Sequence, residues 1–273
     1  MSEQHLTDLL GLRGKPALVV GGGYGIGHDS AVILAKAGAD VAVADLDLDR
    51  AKATQAELEA LGVKSAAFSG DVTKREDCEA IVNGAAEALG GLEVLINMVG
   101  TAGWCPIVDM TDDDWELDLR RNLTQHFYVS RAAGRLMIEQ GRGGRIAVVA
   151  SVSGLYGAPN HAGYGAAKAG LMDLVRTMAH EWGQYGIRIN GVAPDMIKTP
   201  RMAATQAAQG IDADANAKAD GAPLGRAGFA DEIAAPLVFL VSDMASFMSG
   251  QTLVVDGGMR AAFPHWNATV QMR

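Results

Sequence analysis

Short, uniformly apolar runs alternate along this chain with longer segments of helical periodicity, and that alternation constrains the fold more than any other feature. The runs are Ala17 to Val20, Val41 to Ala44, Ala66 to Phe68, Val94 to Ile96 and Ile146 to Val149, and later strands fit Ile187 to Val192 and Leu253 to Val255. Strands that are apolar at every position, rather than every second one, read as covered on both faces. A parallel sheet between two helical layers provides that cover. With 273 residues and 49% apolar content, the chain can bury one large core.

The expected fold class is α/β: a single doubly wound, Rossmann-type domain over residues 1–273, with a mostly parallel seven-stranded sheet and helices on both faces. Helical patterns run from Ser30 to Ala37, from Asp49 through Ala53, Leu58 and Leu61, and from Thr111 through Trp115, Leu119, Leu123 and Phe127. A further helix is expected from His161 to Trp182, with Leu171, Leu174, Val175 and Met178 facing the core. Thr111 suits an N-cap, and Asp112, Asp113 and Asp114 read as a solvated first turn at the positive end of a helix dipole, not as a metal site. Residues 1–14 form an N-terminal extension. Between 200 and 221 the composition turns to Ala, Gln, Asp and Lys, which bury little, so this stretch is expected to be an exposed lid. The tail, 259–273, carries Phe263, His265 and Trp266, aromatic groups that suit docking on a neighbouring subunit or else belong to a disordered end.

A formal net charge of -9 disfavours a nucleic-acid surface, which needs clustered Lys and Arg. No stretch is apolar for long enough to span a bilayer, and the N-terminus lacks the pattern of a secretion signal. A cytoplasmic location without membrane attachment is expected. Cys78 and Cys105 are too few for a disulfide framework and have no zinc-like spacing, and no two histidines stand at i, i+4, so no metal is expected.

Directly after the first strand comes GGGYGIG, where Gly21, Gly25 and Gly27 allow a tight turn, close approach of a pyrophosphate, and packing of the next helix on the sheet. Turns collect glycine for conformational reasons alone, so context matters: a strand precedes, a helix follows, and an acid, Asp45, ends the next strand. A carboxylate there can accept both adenosine ribose hydroxyls and repel a 2'-phosphate, which favours NAD over NADP. Tyr24 and Leu46 agree, because neither is a cation; Asp45 could equally cap a helix or a turn.

Tyr164 and Lys168 lie one helical turn apart and share a face. Alone that pair is common surface decoration. Ser151, just past the strand Ile146 to Val149, changes the reading. With these residues in order the chain resembles the short-chain dehydrogenase/reductase family, from about Lys15 to Gly258, through a TGxxxGxG-like turn and a YxxxK motif. Further matches are Asp71, Asn97, Asn122, Pro194, Thr199 and Asp256-Gly257-Gly258.

The resemblance implies Tyr164 as acid/base, Ser151 as partner of the substrate oxygen, Lys168 as holder of the nicotinamide ribose, and Asn122 as a link from Lys168 to solvent. It implies a cofactor site of Gly21, Tyr24, Gly25, Ile26, Gly27, Asp45, Leu46, Asp71, Val72, Asn97, Gly100, Tyr164, Lys168, Ile197 and Thr199. An ammonium beside the phenol and a cationic nicotinamide ring are expected to favour the phenolate. Val20 stands where the family usually has Thr, Met98-Val99 where it has Asn-Ala, and Asp195 where it has Gly. Asp195 reads as binding a substrate hydroxyl, as favouring the cationic nicotinamide ring, or as a solvent-facing turn acid. Trp104, Ser153, Tyr156, Asn160, His161 and Met202 are candidates for the substrate pocket or for packing.

The expected activity is reversible, NAD-dependent hydride transfer between a secondary alcohol, diol or cyclic alcohol and the nicotinamide, forming the ketone. Enoyl reduction is disfavoured, since that subgroup spaces its Tyr and Lys more widely. A non-catalytic NAD-binding module is the other reading, and it would leave the Ser, Tyr and Lys without use. The family's habit implies a homotetramer.

Overall fold

The computed structural model describes residues 8–200, 202–204 and 222–261. Residues 1–7, the bulk of the expected lid (201 and 205–221) and the tail from 262, including Phe263, His265 and Trp266, lie outside the described residues.

Seven strands form one parallel sheet: β1 (Pro16–Val20), β2 (Asp40–Asp45), β3 (Ser65–Ser69), β4 (Val94–Asn97), β5 (Gly144–Val149), β6 (Ile187–Pro194) and β9 (Thr252–Val255). Their order is β3-β2-β1-β4-β5-β6-β9. Each apolar run of the sequence lies in one of them. The alternation within β1 shows why the runs are continuous. Ala17 and Val19 enter one core with Leu34, Leu58 and Leu237, while Leu18 and Val20 enter another with Ile81, Val129 and Leu171. Buried on both faces, the strand has no place for a polar side chain.

The helices of the first face are α1 (Gly25–Lys36), α2 (Leu48–Ala60) and α7 (Asp231–Val241), and those of the second are α3 (Arg75–Leu89), α5 (Gln125–Gln140) and α6 (Ala162–Trp182). Helix α4 (Asp112–Leu119) runs through a π-helical segment, Arg120–Thr124, into α5. Thr111 caps α4 as expected, its hydroxyl oxygen accepting from Asp114 N at 3.1 Å. In α2 the cap is Asp47, not Asp49, with its carboxylate accepting from Asp49 N and Arg50 N. Helix α1 starts at Gly25, earlier than the expected Ser30, so the glycine turn itself becomes its first turn. Within the N-terminal extension, Leu12 is fully buried against the first core.

Two features run against the sequence pattern. Trp115 and Phe127, expected on the core stripe, are exposed, and the buried face carries Asp118, Asn122, Gln125 and His126. The π-helical residues advance the helix by an extra step and rotate the faces before and after it. A second, two-stranded parallel sheet joins β7 (Ile197–Lys198) to β8 (Gly228–Phe229), both too short to show a period.

Arg188 on β6 holds the end of α7: its guanidinium donates to the carbonyls of Leu240, Ser242 and Met248 at 2.9, 2.9 and 3.1 Å. The last carbonyls of a helix have no partner within it and carry the negative end of its dipole. Arg188→Leu should therefore lower stability by about 2–4 kcal/mol, read from urea unfolding. No change would show those carbonyls to be satisfied without it.

Candidate active site

The strand order reverses between β1 and β4, and the carboxyl ends of the parallel strands open a crevice there. Three groups of residues meet at this edge.

The first is the glycine turn. Gly21 and Gly25 have φ of 83° and 60°, in the left-handed region that side chains disfavour. A Cβ on Gly27 would lie 2.0 Å from the carbonyl oxygen of Gly21, so only glycine lets the helix approach the turn. Tyr24 is the N-cap of α1 but gives it no side-chain hydrogen bond, and the first turn holds no acid. The leading N–H groups of α1 thus point to a space suited to an anion. Ile26 is buried beneath. Asp45 closes the rim, its Oδ2 accepting from Gly23 N at 3.0 Å and its Oδ1 from Asp47 N at 3.1 Å; Leu46 beside it is exposed. Across the turn, Thr199 and Pro200 would lie 3.9 and 3.7 Å from a Cβ on Gly25. A dinucleotide with its pyrophosphate on α1 and its ribose at Asp45 fits these donors and this carboxylate.

Next come the ends of β3 and β4. The carboxylate of Asp71 accepts from Thr73 N at 3.0 Å and Thr73 Oγ1 at 2.7 Å, and Val72 is buried. Asn97 is fully buried, with its Nδ2 donating to Gln125 Oε1 at 3.0 Å and its Oδ1 accepting from Val99 N at 3.2 Å. Gln125 Nε2 in turn donates to Val99 O at 2.9 Å. Asn97 thus braces the turn after β4 from within the core. Ile197 is also buried, and Thr199 Oγ1 accepts from Met202 N at 3.2 Å.

At β5 and α6 stand Ser151, Tyr164 and Lys168. The ammonium nitrogen of Lys168 lies 5.6 Å from the centre of the Tyr164 ring and donates to Val149 O at 2.7 Å. The Ser151 hydroxyl lies beside the Tyr164 phenol and favours its phenolate. Its Oγ also accepts from Ser153 N at 3.1 Å, which fixes the start of the turn after β5. Asn122, within the π-helical segment, accepts from Thr101 N and donates to Thr101 O and Asp118 O at 2.9, 2.8 and 2.9 Å. Its amide thus stitches the loop after β4 to the helix. A Cβ on Gly100 would lie 2.8 Å from Asn122 Oδ1 and 2.9 Å from Lys168 Nζ, so glycine lets the three approach.

Around Tyr164 the fold gathers part of the expected pocket. The His161 ring is 5.9 Å from that of Tyr164 and 4.4 Å from Trp104, whose indole is 73% exposed. His161 Nδ1 lies 2.8 Å from Pro159 O and Nε2 3.1 Å from Ser153 Oγ. A carbonyl only accepts, so Nδ1 carries the proton and Nε2 accepts from the Ser153 hydroxyl. Asn160 takes a φ of 64°, and its carbonyl accepts from Cys105 N, tying down the loop of Trp104. Tyr156 stacks under the guanidinium of Arg260 at 4.9 Å. Asp195 is partly buried, and burial first, then the charge of Asp256, raises its carboxyl above the ordinary value.

The family model described as Enoyl-(Acyl carrier protein) reductase matches residues 21–260. L-rhamnose 1-dehydrogenase (NAD(P)(+)) of Sphingomonas sp. (strain SKA58) is 38% identical, over 91% of this chain and 97% of that one. Cyclohexanol dehydrogenase of Acinetobacter sp. (strain SE19) is 36% identical, over 89% and 94%. Among solved structures, 7α-hydroxysteroid dehydrogenase complexed with NADH and 7-oxo glycochenodeoxycholic acid superposes with a TM-score of 0.85 at 34% identity, covering 92% of this chain and 96% of that one. The chain belongs to the short-chain dehydrogenase/reductase family.

This short-chain dehydrogenase/reductase is therefore an oxidoreductase. Its electrostatics differ from the sequence expectation. Burial raises the phenol of Tyr164 above its ordinary value, the Ser151 hydroxyl beside it opposes that, and the charge of Asp118 adds to it. Burial also drives Lys168 down to about 7. In the protein by itself the lysine is only partly charged near neutrality and does not lower the phenol, because low polarity disfavours both charged forms. Buried His126 is held neutral by burial and then by the charge of Lys168.

Three residues of this site escaped the sequence reading. Asp118 and His126 stand one turn either side of Asn122, a helical spacing that could have revealed them. Arg50 could not have been found from positions 24 and 46: the fold brings its guanidinium 4.7 Å over the Tyr24 ring, with Nε 3.3 Å from Asp47. Among the described residues no three His, Cys, Asp or Glu side chains gather as a metal site, and no helix is long and apolar enough to cross a membrane. Gly27→Ala should force the turn apart and lower stability by about 1–3 kcal/mol in urea unfolding. Unchanged stability would mean that the turn tolerates a side chain.

Proposed function

We propose that this enzyme is an NAD(H)-dependent alcohol dehydrogenase that reversibly oxidises a secondary alcohol, on a ring or within a diol, to the ketone. The observation that carries the reading is the Ser151, Tyr164 and Lys168 cluster: a phenol beside one hydroxyl, with an amine nitrogen 5.6 Å from its ring, at the mouth of a dinucleotide cradle. In oxidation the Tyr164 phenolate takes the proton of the substrate hydroxyl while Ser151 holds the oxygen, and in reduction Tyr164 returns that proton. A bound nicotinamide supplies the acceptor or donor of the hydride. Lys168 holds the nicotinamide ribose from below, and Asn122 keeps the loop after β4 against it.

Gly21, Tyr24, Gly25, Ile26 and Gly27 form the pyrophosphate cradle; Asp45 and Leu46 border the adenosine ribose, and Asp71 and Val72 the adenine. The turn from Asn97 to Gly100 floors the site, and Ile197 with Thr199 faces the nicotinamide. Asp45 favours NAD, since its carboxylate suits ribose hydroxyls and repels a 2'-phosphate, while Arg50 beside it is engaged with Asp47.

For the substrate, the open face of Trp104 suits a ring, and Ser153 with His161 suits a second hydroxyl. Asp195 offers a further acceptor. Relatives named for a sugar, a ring alcohol and a steroid support this class. Those names and the single-turn spacing of Tyr164 and Lys168 favour alcohol over enoyl chemistry. A cytoplasmic homotetramer completes the proposal; exposed Trp115 and Phe127 would suit contacts between copies.

The test is a panel of cyclic alcohols, diols and sugars with NAD+ or NADP+, followed by absorbance of the reduced cofactor. Turnover with NAD+ exceeding that with NADP+ is expected, and Tyr164→Phe should lower kcat by about 10²–10⁴-fold. Full activity in Tyr164→Phe would overturn the reading.

A further inference from the structure

Asp118 is a carboxylate in an unusual place. It lies on α4, is 4% exposed, and forms no ion pair with a Lys, Arg or His among the described residues. Its Oδ1 accepts from Gly103 N at 3.1 Å, which ties it to the loop that carries Trp104. Its Oδ2 would lie 3.0 Å from a Cβ on Gly163, the residue before Tyr164. Its own carbonyl accepts from Asn122 Nδ2. One side chain thus touches both the loop over the pocket and the helical turn of the catalytic phenol. A buried, unpaired carboxylate is costly, so ordinary packing does not account for it.

We propose that Asp118 is a positioning residue whose buried carboxylate clamps the Trp104 loop to the start of α6, one residue from Tyr164. This rests on Tyr164 being the acid/base. The groups facing Tyr164 are Ser151 from the end of β5, Lys168 and His161 from its own helix, and Asp118 from α4. Arg120, in the π-helical segment, is exposed and pairs with Glu116. Of these, Asp118 is the group whose negative charge opposes the phenolate. Oxidation needs the phenolate, so its rate rises with pH as Tyr164 loses its proton. Removing a nearby negative charge makes that loss easier and moves the limb to lower pH.

Asp118→Asn keeps the size of the side chain and an acceptor for Gly103 N. In this variant the rising limb of kcat/KM for alcohol oxidation should move down by about half a pH unit or more, with KM for the alcohol near that of the parent. Asp118→Leu, which also loses the clamp, should show the same movement and a raised KM. A limb that stays in place in Asp118→Asn, whatever the change in rate, or an unchanged KM in Asp118→Leu, overturns the proposal. A second readout does not depend on turnover: phenolate absorbance is titrated in the unliganded protein and in Asp118→Asn, each compared with its Tyr164→Phe counterpart to subtract the other four of the chain's five tyrosines. A lower Tyr164 midpoint in Asp118→Asn supports the charge effect even if no alcohol is oxidised, whereas an unchanged midpoint sinks it. Absence of turnover in the parent protein is instead a failure of the dehydrogenase reading.

Discussion

Everything at this site depends on Lys168 being enclosed with its nitrogen against the Val149 carbonyl. That contact sits where β5 ends and α6 passes over it, and both elements must be in place for an amine to be 1% exposed. Enclosure disfavours the ammonium and brings the group down to about 7, against an ordinary 10.5. Between those two values the unfolded chain holds a proton that the folded one has released. Stability from this group therefore increases as pH rises from about 7 toward 10.5, and below 7 the folded protein bears the full cost of a buried charge. Such a cost is typical of a residue placed for chemistry and not for packing.

The same carboxyl edge of the sheet joins this amine to the glycine turn. Asn97 and Gln125 lock the turn after β4 from within the core, which sets Gly100 between Asn122 and Lys168. Beside them, the sulfur of Met98 would lie 2.6 Å from a Cβ on Gly21, so the bulk added at position 98 fills space directly beneath the turn. A single polar brace thus sets the spacing between the glycine turn and the Tyr164–Lys168 pair, as the proposed reaction would require.

The sheet was readable because its inner strands lie between two cores: near-continuous Val, Ile and Ala leaves a parallel arrangement as the natural fit. Gly21, Gly25 and Gly27 were readable because their backbone geometry excludes other residues, and Tyr164 with Lys168 because one helical turn separates them. Where the sequence misled, a helix had departed from its regular period. The π-helical step after α4 put Asp118 and His126 inside and left Trp115 and Phe127 outside, opposite to what an apolar stripe predicts. Arg50 and Asn97 show another limit. One gains its place by stacking on Tyr24 and the other is held inside the core by Gln125, and neither partner is a neighbour in sequence.

The most direct test of this account is the titration of the Lys168 nitrogen, followed by 15N NMR in the unliganded protein with Lys168→Arg identifying the signal. A midpoint near 7 is predicted. A midpoint at the ordinary lysine value of about 10.5 would mean that the amine is solvated, and the enclosed amine on which the site is built would not exist.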